Sequence, residues 1–88
     1  MTKRTSFKRH AEFKLSLLRQ HGFKITKTEV ERTLGNPLKV RPGYAGRKIA
    51  EGHLTAIHLI RVVFEELPHE WKVITIYPAR RDRYENKL

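Results

Sequence analysis

Cysteine is absent from the chain, so neither a disulfide framework nor a thiolate metal site is available, and stability has to come from packing or association. That composition is compatible with a cytoplasmic location. Acidic residues are scarce as well: nine stand against nineteen lysines and arginines, leaving a formal net charge of +10. Such an excess on a small body calls for a polyanion or an acidic protein as partner. Long apolar runs are missing. Ala11 to Leu18 is interrupted by Glu12, Lys14 and Ser16, and Ala56 to Phe64 contains His58 and Arg61, so neither reads as a signal peptide or a bilayer-spanning helix, and no membrane partner is expected. There is no phosphate-cradling glycine loop, no serine or cysteine nucleophile motif and no close carboxylate pair. Gly43-Tyr44-Ala45-Gly46 reads as a turn. His53, His58 and His69 lack zinc spacing, so no metal and no cofactor are expected.

What remains, 88 residues, is enough for one domain with a thin core, burying about 60–65% of the surface its unfolded form exposes. Ser6 is placed to cap a first helix from Phe7 to His21, where Phe7, Ala11, Leu15 and Leu18 recur at helical spacing and Gly22 is a stop. Thr26 and Glu29 form a capping box, with Ile25 and Val30 at staple positions, for a second helix over Lys27 to Leu34 that ends at Gly35-Asn36-Pro37. The period then changes to two. Strands are expected over Leu38 to Arg41, Arg47 to Glu51, Ile57 to Phe64 and Trp71 to Tyr77, with residues 1–5 and 86–88 loose. The expected fold is α+β: two N-terminal helices on one face of a four-stranded, mainly antiparallel sheet, in the order ααββββ.

Alternation along the last two strands makes Ile60, Val62, Phe64, Ile74 and Ile76 the expected core, with Arg61, Thr75 and Tyr77 on their backs. Two readings of Arg61 stay open. It bridges to a carboxylate such as Glu51, or it stabilises a phosphate whose non-bridging oxygens gain charge during RNA cleavage. His10, early in the first helix, has the side chain for general acid or base work or is simply solvated. Tyr77 is either a rim aromatic or a catalytic or stacking group. Beyond it the chain opens into Ala79-Arg80-Arg81-Asp82-Arg83-Tyr84-Glu85. Guanidinium forks suit phosphate oxygens and tyrosine supplies a stacking face, so this tail points to RNA more readily than to a small metabolite. Lys39, Arg41, Arg47 and Lys48 add cations on the hairpin.

Arg9-His10-Ala11, Gly22-Phe23-Lys24-Ile25 before a capped helix, the strand around Val62-Val63, and Val73-Ile74-Thr75-Ile76-Tyr77 with its arginine-rich tail together resemble the RelE/ParE-superfamily toxins, closest to BrnT-like proteins. The likeness covers most of the chain. It implies a toxin–antitoxin ribonuclease fold of a kind that often needs no metal, RNA as substrate, either free or on the ribosome, and a cognate acidic antitoxin over the active face. It makes His10, Arg80, Arg81 and Tyr84 the positions to watch.

The expected function is therefore a metal-independent endoribonuclease that uses the substrate's own 2′-hydroxyl. His10 or Tyr77 moves protons, Arg61 with Arg80 or Arg81 steadies the phosphorane, and Tyr84, Arg83 and the hairpin cations Lys39, Arg41, Arg47 and Lys48 position the strand. Two rivals remain. One is a non-catalytic nucleic-acid binder of winged-helix type; the other is a basic protein-interaction domain.

Overall fold

The computed structural model describes residues 3–81. In chain order the elements are β1 (Arg4–Phe7), α1 (Arg9–Gln20), α2 (Lys27–Gly35), β2 (Lys39–Pro42), a 3-10 turn (Tyr44–Gly46), β3 (Lys48–His53), β4 (His58–Leu67) and β5 (Glu70–Arg80). The fold is α+β, and among the described residues its sheet has five strands in the order β1-β5-β4-β3-β2. β1 lies parallel to β5, and every other pairing is antiparallel.

The additional strand corrects the reading of the N-terminus. Residues 4 and 5 are not loose, and Ser6 does not cap a helix; its hydroxyl donates to Glu70 Oε2, 64 positions away. A parallel partner that distant leaves no local mark on a four-residue strand. Helix α1 accordingly starts at Arg9, with Lys8 at the N-cap and no side-chain cap. Its other end follows local chemistry. Gly22 takes φ 92°, Phe23 N–H donates to Leu18 O at 2.9 Å and Gly22 N–H to Arg19 O at 3.1 Å, the paired bonds of a Schellman stop. At the start of α2, Thr26 Oγ1 accepts from Glu29 N–H at 3.3 Å, and the staple residues Ile25 and Val30 are fully buried.

Both helices contribute to one buried cluster with one side of the sheet: Ala11, Leu15 and Leu18 from α1, Val30 and Leu34 from α2, and Ala50, Ile60, Val62, Phe64, Val73 and Ile76 from the strands. Gly52 lets α2 approach this closely, since a β-carbon there would stand 2.6 Å from Thr33 Oγ1. The expected core is right for β4 but wrong by one residue in β5. Thr75 lies opposite Val63 and Val73 opposite Phe64, so Ile74 is the extra residue of a β-bulge. Side chains before and after it change phase, which puts Val73 and Ile76 in the core and leaves Ile74 out.

Strand β5 also runs on through Pro78 to Arg80, past the expected end at Tyr77. Two features of its surroundings permit the proline. β1 pairs only with residues 70–73, so the outer edge of β5 beyond them has no strand partner among the described residues. Arg81 N–H donates to Ile57 O, which sets the alternation so that position 78 is a non-hydrogen-bonded pair with Ile60. No helix among the described residues is long and apolar enough to cross a membrane.

Candidate nucleic-acid interface

The helices cover only the side of the sheet that carries Ile60, Val62 and Phe64. On the other side, strand register builds ordered rows. Lys39, Glu51, Arg61 and Tyr77 stand opposite one another across β2, β3, β4 and β5. Beside that row run Arg41, Ile49, Val63 and Thr75, and on its other flank His53, Leu59 and Ala79. Arg61, Thr75 and Tyr77 therefore share one helix-free face.

Glu51 is the organising group of this face. It is 3% exposed, and its Oε2 accepts from Arg61 Nε at 2.8 Å and from Arg41 Nε at 3.0 Å. A carboxylate this buried is costly unless paired, and two guanidinium groups on one oxygen satisfy it with a surplus of positive charge. Of the two readings of Arg61, the bridge to Glu51 is present. Partial desolvation opposes the charge on Arg61, but the hydrogen bond and charge of Glu51, with smaller help from Tyr77, outweigh it and raise the guanidinium pKa above its ordinary value. Arg61 is fixed as a cation. Because Glu51 engages it through Nε, its plane and direction are set as well.

A second cluster lies one row away. Arg81 Nη2 meets His53 Nδ1 at 2.6 Å, and the same guanidinium donates from Nη2 and Nε to Thr55 O at 3.3 and 3.4 Å. Arginine only donates, so Nδ1 of His53 accepts and the ring proton sits on Nε2. Sequence reading missed His53 because it ended the strand at Glu51. Two more residues of β3 put His53 on the same face as Glu51, and that parity was the available signal.

The expected site residues divide across the sheet. Arg61, Tyr77 and Arg81 gather on the open face. His10 does not join them: it is exposed in the first turn of α1, in the helix layer. Nor does Arg80, which pairs with His58, whose ring meets Phe23 edge-on at 5.2 Å, the latter packed against the core. The reason is the two-residue period of a strand, which sends consecutive arginines to opposite sides. The hairpin cations divide too. Lys39 and Arg41 lie on the open face, whereas Lys48 turns toward the helix side and bonds Glu66 at 2.6 Å. Arg47 approaches Glu65 at 3.9 Å. Arg83 and Tyr84 lie outside the described residues. Among the described residues no group of three or more histidine, aspartate or glutamate side chains is placed to hold a metal ion.

No family model, curated protein or solved structure matches this chain. The geometry of the face carries the functional argument.

Proposed function

We propose that the protein is a cytoplasmic endoribonuclease of the RelE/ParE-like toxin type, binding single-stranded RNA across the helix-free face and held in check by an acidic antitoxin covering it. One observation supports this most: Arg61, oriented by the buried Glu51, shares that face with Tyr77, Arg41, Lys39 and Arg81. The charge and the strands left uncovered by the helices suit an extended polyanion. In the proposed reaction the 2′-hydroxyl gives up its proton to water as its oxygen attacks the adjacent phosphorus, and the 5′-oxygen leaves with a proton from the protein, giving a 2′,3′-cyclic phosphate and a 5′-hydroxyl end. Arg61 and Arg81 stabilise the charge that builds on the non-bridging oxygens. Tyr77, opposite Arg61, replaces His10 as the group that hands a proton to the leaving oxygen. No metal enters the scheme.

Incubating the purified protein with RNA and with matched 2′-deoxy oligonucleotides, with and without ribosomes, tests it. Cleavage of RNA alone is expected, with Tyr77→Phe slowing cleavage more than it weakens binding. Equal cleavage of both substrates, or cleavage of neither under any of these conditions, overturns the mechanism.

Binding without cleavage is a second reading, and one observation favours it. The imidazole of His53 is engaged at Nδ1 by Arg81, so it offers a phosphate an N–H donor rather than a base. RNA binding that weakens steeply with salt and never yields a cyclic phosphate would select this reading. A winged helix-turn-helix is disfavoured: between Pro37 and Pro78 the only helical element is the 3-10 turn, leaving no third helix to enter a groove.

A further inference from the structure

The tip of the β2–β3 hairpin does nothing for the core. Tyr44 is 91% exposed there, and none of the turn residues 44–46 is buried. Yet the turn is closely defined. Gly43 N–H donates to Arg47 O at 2.6 Å and Arg47 N–H to Tyr44 O at 3.2 Å. A β-carbon on Gly43 would stand 3.0 Å from Arg47 O, so the approach is tight and favours glycine. Ala45 is held at φ 58° and ψ 39°, a left-handed conformation that an alanine adopts only under constraint. A large aromatic ring is thus displayed on a rigid support, with no packing role to explain it.

Its surroundings are cationic. An open recess of about 390 Å³ at the foot of the turn is lined by Val40, Pro42, Arg41, Arg47 and Lys48. Among the described residues, Arg47 Nε is buried and lacks a hydrogen-bond partner, because Glu65 at 3.9 Å is beyond bonding reach. The side chain as a whole keeps 35% of its surface in solvent, so an incoming phosphate would meet the exposed part of the guanidinium and not Nε. An exposed ring and, three residues on in the same turn, a partly exposed guanidinium whose ion pair with Glu65 is as long as 3.9 Å offer the two parts a nucleotide needs, a stacking face and a cation.

We propose that this hairpin tip is a nucleotide subsite of the RNA-binding surface, with a base stacked on Tyr44 and its phosphate taken by Arg47. The inference rests on the RNA reading above and extends it to a turn that the sequence marks only as a connection. Stacking on tyrosine tolerates any base, so the subsite would lengthen the bound track without setting its sequence.

The test uses fluorescence anisotropy of a labelled uridine RNA dodecamer, titrated at several salt concentrations against the full chain and its variants, with thermal melts alongside. Tyr44→Ala should weaken binding roughly tenfold and leave the salt slope unchanged, since a stacked base and not a phosphate is lost. Tyr44→Phe should bind within about twofold of the parent because the stacking face survives. Arg47→Met should lower both affinity and the magnitude of the salt slope, the latter by about 0.7, one phosphate contact's share on a single strand. If the parent protein and Tyr44→Ala bind equally well, the subsite falls while the RNA reading stands. If the parent protein has no affinity for the RNA, both fall. If Tyr44→Ala is impaired only toward a polyglutamate probe, the ring belongs to a protein interface and the subsite is overturned.

Discussion

Two carboxylates in this chain are each clasped by two cations, and they sit on opposite sides of one sheet. Glu51 receives Arg41 and Arg61 with its side chain 4% exposed; Glu66 receives Lys3 and Lys48 with its side chain 38% exposed. The first pair is planar guanidinium against a desolvated oxygen, which fixes direction. The second is ammonium on flexible stems in contact with water, which fixes little. Contact lists alone would rank them together, since Lys48 to Glu66 at 2.6 Å is shorter than Arg61 to Glu51 at 2.8 Å. Burial separates them. A site that must hold a cation in one orientation for a ligand needs the first kind of pairing, and the helix-free face has it.

Breaking the buried clasp should have the largest effect. Arg61→Ala strips one of two partners from a buried carboxylate and should cost about 2–3 kcal/mol in urea denaturation, below the full penalty for an unpaired buried charge because Arg41 remains. Replacing both members, Glu51→Leu with Arg61→Met, should recover most of that stability while leaving the RNA binding proposed above weakened. A double variant as unstable as the single one would show that the loss comes from something other than an unpaired buried charge.

A smaller effect is expected one residue along the same strand, on the side facing the helices. Gly52→Ala drives a methyl against Thr33 Oγ1 at 2.6 Å and should cost about 1–2 kcal/mol, with Thr33→Ala restoring part of it. An unchanged melting temperature would show that α2 can lift from β3 without penalty.

The exposed clasp should matter least, and should show its weight only in acid. Hydrogen bonds from Lys3 and then Lys48 hold the Glu66 carboxyl down at about 2, against an ordinary 4.5. Because its folded pKa lies below its unfolded one, its contribution is complete above about 4.5 and disappears as pH falls toward about 2. Solvent screening limits it to at most about 1 kcal/mol. Glu66→Gln should therefore lower the melting temperature slightly at pH 7 and leave it unchanged at pH 2. A deficit that persists at pH 2 would mean that Glu66 acts through something other than its charge.

The parts legible in the sequence were those whose causes are local. Gly22 ends α1 because a left-handed residue is needed within one turn of the helix, and Thr26 caps α2 because its partner Glu29 is three residues away. Ile60, Val62 and Phe64 could be assigned to the core because strand alternation needs no knowledge of neighbours. The same reasoning put Arg61 and Tyr77 on the other side. It failed at Ile74, where the bulge depends on how β5 fits β4, and at His53, where the length of β3 depends on β4 continuing beside it.

By itself, then, the chain determined two helices, with the stop of the first and the start of the second, a strand-rich second half, and a large positive charge in need of an anion, since each follows from propensity, capping or composition within a few residues. Tertiary structure decided which cations meet. β1 became a strand through a partner at the far end of the chain, consecutive arginines at 80 and 81 parted because a strand alternates, and Glu51 became the anchor of the open face because register brought Arg41 and Arg61 to one buried oxygen. Pairing between distant strands depends on the energy of the whole sheet, which no short stretch of sequence contains.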